Sequence, residues 1–170
     1  MDNFSLEFIN QCLFRLEENP PRIEKCLRLL SEAEVWQKPN NSSNSIGNLI
    51  LHLCGNIRQY AVSSLSGKAD SRQRDEEFSN KGGYSKNELL AKFNQTLEEA
   101  KTVIRQLNKG EWLEIRSVQG FNFSGIGILI HVVEHLSYHT GQIASATKAL
   151  KDKQLGFYAG FDLNDKNVGK

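Results

Sequence analysis

The chain has 170 residues, the size of one domain with a short appendage. Hydrophobic residues make up 39% and charged residues 24%, which excludes a disordered tail or a fibre, and no apolar run approaches the roughly 18–20 residues of a membrane span. With 21 Lys plus Arg against 20 Asp plus Glu, the net charge of +1 gives no electrostatic ground for binding nucleic acid or an anionic membrane surface.

The first residues, Met1, Asp2 and Asn3, lack the basic patch and apolar core of a secretory leader. Leu6, Ile9, Leu13, Leu16, Ile23, Leu27 and Leu30 then follow alternating steps of three and four, with the phase carried across Pro20 and Pro21. This pattern predicts one long first helix, kinked at the prolines. Glu32 to Trp36 read as a turn or one extra helical turn, and residues 38–45 (KPNNSSNS) as a polar loop ending in capping residues.

A second helix is expected from about Ile46 to Leu65, with Ile46, Leu49, Ile50, Leu53, Ile57, Tyr60 and Ala61 on one stripe. Residues 68–84 read as a charged connector containing Arg72, Arg74, Asp75, Glu76 and Glu77. Ser85 followed three residues later by Glu88 is a capping box for a third helix, whose core positions are Leu90, Phe93, Leu97, Ala100, Ile104 and Leu107. Ile115 to Phe123 alternate as a short hairpin would. Ser124 caps a fourth helix reaching about Leu150, with Leu129, Val132, Val133, Leu136, Ile143, Thr147 and Leu150 inward. The expected architecture is all-α: a four-helix bundle over residues 1–154, with connectors long enough for a crossover, and a C-terminal tail over 155–170.

Three cysteines, Cys12, Cys26 and Cys54, are an odd number without CxxC spacing. They read as inert buried thiols of a reducing compartment, so a cytoplasmic location is expected. The histidines carry more information. His52 lies in the second helix, and His131, His135 and His139 recur every four residues in the fourth, the spacing by which two imidazoles of one helix chelate a metal. Turning about 100° per residue from Leu136, His139 falls at roughly 300°, His135 at roughly 260° and His131 at roughly 220°. His139 is thus nearest the core and His131 furthest toward solvent. His52 falls at roughly 240° from Ile46, also on the rim of an apolar face. Three imidazoles would leave a coordination position for water or substrate. Glu134, at roughly 160°, points away, which argues against a glutamate-bridged di-metal bundle.

The segment IHVVEHLSYHTGQI (Ile130–Ile143) resembles the HxxxHxGQ signature on the last helix of DinB-like proteins, and NSIGNLILHLCGNIRQY (Asn44–Tyr60) resembles their second-helix segment. The order of features fits as well: Trp36 and Pro39, then the NSIGNLILHL helix, then the RxRDEEF connector of Arg72–Phe78. The resemblance runs from about Leu6 to Leu150. It implies a four-helix bundle with a long crossover between helices two and three. It also implies a divalent metal, zinc or nickel, on His52, His135 and His139. His131, Gln142 and Asn56 are expected around those ligands, as are Asn48 and Tyr138.

Relatives in that superfamily include transferases using a low-molecular-weight bacterial thiol and a mycothiol-dependent isomerase. Other members have no established activity, so the resemblance carries over the metal and not the reaction; the expected activity is transfer of a thiol, or another metal-activated nucleophile, to a small electrophile. The alternative is a non-enzymatic metal-binding or stress-response protein with a structural or vestigial site. Hydrolysis would need a general base near the metal, and no carboxylate in the sequence is evidently placed for it. The expected partners are a small-molecule thiol or electrophile, with no nucleic acid and no membrane. A homodimer is the general expectation for such a bundle.

Overall fold

The computed structural model describes residues 2–166. The chain is mostly helical, with one small hairpin: α1 (Asn3–Glu17), α2 (Asn19–Leu29), α3 (Glu32–Trp36), α4 (Ile46–Ile57) continued by a π-helical segment (Arg58–Ser64), α5 (Arg74–Ser79), α6 (Lys86–Gln106), β1 (Ile115–Val118), β2 (Phe121–Ser124) and α7 (Gly125–Lys151). Among the described residues no helix is long and apolar enough to cross a membrane.

The expected first helix appears as α1 and α2, abutting at Glu18, whose backbone remains right-handed helical. Pro20 and Pro21 occupy the first turn of α2, where a missing N–H costs least. The buried amide of Asn19 donates to the Arg15 carbonyl at 2.7 Å, supplying a donor at the break. The apolar phase survives: Ile9, Leu13, Leu16, Ile23, Leu27 and Leu30 are all buried, and Leu16 and Ile23 are fully so. Leu6 departs from the pattern and is half exposed, because the first turn of α1 reaches beyond the core.

Capping fixes where the other helices start. Ser31–Glu34, Ser45–Asn48 and Ser85–Glu88 each form reciprocal capping boxes opening α3, α4 and α6. The Trp36 ring packs against α4 at Gly47, where a Cβ would meet it at 2.7–2.9 Å. In α6 the inward residue is Leu89, with Leu90 only partly buried. Both positions satisfy the three-and-four spacing, so only packing separates them. The hairpin turns on Gln119 and Gly120, both at positive φ (53° and 82°), the geometry of a two-residue loop that follows strand twist. The Tyr60 hydroxyl donates to Gln119 Oε1 at 2.9 Å, tying that turn to the π-helical segment.

Ser124 caps α7, whose 27 residues span about 40 Å. It packs against α1, α2 and α4, while α6 covers α4 and α2. Leu150 is partly exposed near the end of α7. Leu155 is buried beyond it, and Lys25 Nζ and Arg22 Nη2 donate to the Gly156 carbonyl and the Tyr158 hydroxyl, so the start of the tail lies along α2.

Candidate metal centre

Helix α4 contributes His52 and helix α7 contributes His135 and His139 to one cluster, and their ligand-capable nitrogens lie within 4.8 Å of one another. Among the described residues no other Cys, His, Asp or Glu joins that group. His135 Nε2 is the centre, 3.1 Å from His52 Nε2 and 3.2 Å from His139 Nε2. Two nitrogens bound at about 2.0–2.1 Å to a tetrahedral zinc would be separated by about 3.3–3.4 Å.

The other ring nitrogens decide which protons are present. His139 Nδ1 lies 2.8 Å from Gln142 Oε1, to which it donates. His52 Nδ1 lies 3.0 Å from Glu77 Oε2. A carboxylate only accepts, so the shared proton sits on Nδ1. Arg72 Nη2 is 3.1 Å from the same nitrogen, but its N–H has Glu77 Oε2 as acceptor at 2.8 Å. Both outer histidines therefore turn Nε2 lone pairs toward His135. One proton on His135 Nε2 satisfies only one of them, and His135 Nδ1 is buried without a protein partner. A divalent cation accepting all three lone pairs removes that conflict, so the residues fit a metal.

The electrostatics agree. Burial, assisted by the neighbouring His139 and His52, lowers the His135 pKa to about 3, and burial also lowers those of His139 and His131. These rings are held neutral, the form that ligates metal. Glu77 is opposed by burial, yet Arg72 and His52 together lower its pKa and keep it ionised.

His131 is not turned to solvent as the helical wheel places it. It is half-buried, stacked on Tyr60 with ring centroids 4.1 Å apart, and its Nε2 lies 3.2 Å from Asn56 Nδ2. The π-helical segment carries the Tyr60 ring over it, a local geometry that a 3.6-residue wheel does not contain. Asn56 thus serves His131 and makes no hydrogen bond to the cluster, whereas Gln142 orients one of its three members. Asn48 reaches elsewhere: its Nδ2 donates to the carbonyls of Glu77 at 2.9 Å and Asn80 at 2.7 Å. Tyr138 is mostly exposed, its ring edge-on to His139.

Glu77 and Arg72 are the side chains beside the cluster that histidine spacing does not reveal. The connector offers Asp75, Glu76 and Glu77 in a row, and charge alone does not rank them. The short helix α5 leaves Asp75 and Glu76 exposed and buries Glu77 against His52. Arg72 does not face solvent; its side chain is 3% exposed and bonds Glu77 Oε1 at 2.7 Å and Gln59 Oε1 at 2.8 Å. The cysteines remain unreactive: all three are buried and free, and burial pushes the Cys54 thiol up to about 12.

Comparison with known proteins agrees on the fold. A family described as a protein of unknown function (DUF1572) matches residues 3–158, and the chain belongs to that family. The chain is similar to the crystal structure of the DinB-like protein YjoA from Bacillus subtilis, with 18% identity over 87% of this chain and 96% of that one and a TM-score of 0.66. It is also similar to the crystal structure of a conserved protein from Enterococcus faecalis, with 14% identity over 85% of this chain and 97% of that one and a TM-score of 0.73. Identities this low speak for the fold, which is DinB-like. Among curated proteins none matches the chain.

Proposed function

For a member of the DUF1572 family with a DinB-like fold, we propose a metal-dependent function in which His52, His135 and His139 hold one divalent ion, zinc or nickel, for transfer of a small thiol to an electrophilic substrate. The framework of this reading is a four-helix bundle made by α1–α2, α4 with its π-helical continuation, α6 and α7. The segment between α4 and α6 is the crossover, and residues 155–166 follow the bundle as a tail whose start lies along α2.

The observation that carries the proposal is the convergence of three Nε2 lone pairs around a spot where one proton cannot satisfy them. Three imidazoles leave a place for an exogenous ligand, the open pattern of catalytic sites. When bound, the ion would lower the pKa of a thiol beside it. The protein's part is to orient three rings and to keep His135 and His139 neutral by burial. Gln142 Oε1 fixes the His139 ring through Nδ1, and the Phe78 ring, 4.8 Å from that of His52, walls the site with apolar surface.

No cysteine of the chain suits the role of nucleophile. Cys54, two residues from His52, has its thiol pushed far above neutral pH by burial. The thiol therefore comes from a small molecule. In the transfer its S–H bond breaks, an S–C bond forms, and the proton leaves with the displaced group or adds to the electrophile.

The test is elemental analysis of protein purified without a histidine tag, followed by a thiol-transfer screen with cysteine, glutathione and bacterial thiols. About one ion per chain with metal-dependent loss of both thiol and electrophile is expected. Protein that neither carries nor takes up a divalent ion rejects the reading. Metal without turnover of any thiol leaves a structural ion and removes the transferase assignment.

A further inference from the structure

The geometry points to the segment 68–84 as a working part of the metal centre. Glu77, clamped by Arg72, positions His52, so that metal affinity and the ordering of this segment are coupled. The inference rests on the metal site proposed above and extends it to residues that no histidine spacing reveals.

Four observations converge on it. First, Glu77 is 8% exposed, and its Oε2 accepts from His52 Nδ1, the ring nitrogen turned away from the histidine cluster. Second, both Glu77 oxygens are gripped by Arg72, through Nε at 2.7 Å and Nη2 at 2.8 Å, which leaves the carboxylate little freedom to rotate. Third, Asn48 Nδ2 pins the Glu77 and Asn80 carbonyls, holding the end of α5 against α4. Fourth, α4 carries Gly55 in its interior, where a Cβ would stand 1.8 Å from Glu77 Oε1 and 2.9 Å from Arg72 Nε. A glycine at mid-helix weakens the helix. Here it clears the surface on which the ion pair lies.

A buried ion pair is a poor device for stability alone, because desolvation consumes much of the attraction. Its placement gives it a different task. A carboxylate behind a ligating imidazole fixes the tautomer, orients the ring and makes the distal nitrogen a better donor. Coupling of this kind is reciprocal: if an ordered segment strengthens metal binding, bound metal must order the segment.

The experiment is a zinc titration of the full chain against a chromophoric chelator, with amide hydrogen exchange of residues 68–84 in the presence and absence of zinc. Glu77→Ala should weaken zinc binding by about 10–100-fold. Glu77→Gln, which keeps an acceptor but loses the charge, should fall between it and the unsubstituted protein. Gly55→Ala retains the carboxylate but displaces it, and should also weaken binding, although alanine favours the helix. Zinc should slow exchange across 68–84 in the unsubstituted protein, and Glu77→Ala should abolish that slowing. If the unsubstituted protein binds zinc while the Glu77→Gln and Gly55→Ala variants bind with equal affinity, the inference is overturned and the metal site stands. Absence of slowing at 68–84 also overturns it, and needs no variant. Failure of the unsubstituted protein to bind either zinc or nickel removes the metal site and this inference together.

Discussion

The region built by α1 and α2 and the seam between α4 and α7 are both buried, but by opposite chemistry. In the first, Leu16, Ile23, Leu27 and Leu30 fill the core with apolar side chains, and the buried polar residue at the break between the helices is Asn19, whose amide donates to the Arg15 carbonyl while its Oδ1 has no partner. In the second, His52, Asn48, Asn56 and Glu77 are buried beside three partly buried histidines of α7. An apolar seam is stabilised by area alone and tolerates approximate placement. A polar one is costly unless each donor finds an acceptor. Unpartnered atoms remain on the polar side, His135 Nδ1 and Asn56 Oδ1 among them, and three lone pairs face one another. The difference teaches that the α4–α7 seam concentrates buried polar groups around one spot, a cost that the proposed ion would offset.

Substitutions on the two sides should therefore fail in different ways. The largest effect is expected from His135→Ala, which removes the central nitrogen of the cluster and should eliminate stoichiometric zinc binding by elemental analysis. Undiminished metal content would erase the distinction between the seams. Leu27→Ala, on the apolar side, should cost about 2–5 kcal/mol in denaturant unfolding and leave metal content unchanged.

Acid should also separate them. His135 has its pKa lowered by burial to about 3, below the usual histidine value of about 6.5. The unfolded chain then binds the extra proton between those values, so metal-free stability is full above about pH 6.5 and is lost as pH falls toward about 3. At pH 4.5 the loss should be about 1–3 kcal/mol relative to pH 7, read from denaturation of metal-free protein, and His135→Ala should flatten it. A pH-independent metal-free fold would show that these rings are not held neutral.

The smallest effect belongs to His131→Ala. Loss of its stack on Tyr60 should cost about 0.5–1.5 kcal/mol, with zinc affinity kept within about tenfold. A collapse of binding as large as that of His135→Ala would make His131 part of the cluster and redraw the site.

What the sequence by itself determined is whatever depends on neighbours three and four residues away. The apolar phase through Pro20, the serine caps at Ser45, Ser85 and Ser124, the hairpin and the His135–His139 pair on one face of α7 are all local, because a helix fixes the geometry of such pairs before anything packs against it. The helical wheel put His52 on the rim of its own helix, and the DinB-like resemblance joined it to His135 and His139, a distance in sequence that no periodicity bridges. Tertiary structure decided the rest. It selected Leu89 over Leu90, turned His131 inward under Tyr60, and chose Glu77 from three adjacent acids to face His52. Each of those outcomes depends on an atom of another element arriving at hydrogen-bonding or packing distance. A short acidic stretch and a rim histidine look the same in sequence whether that atom arrives or water takes its place.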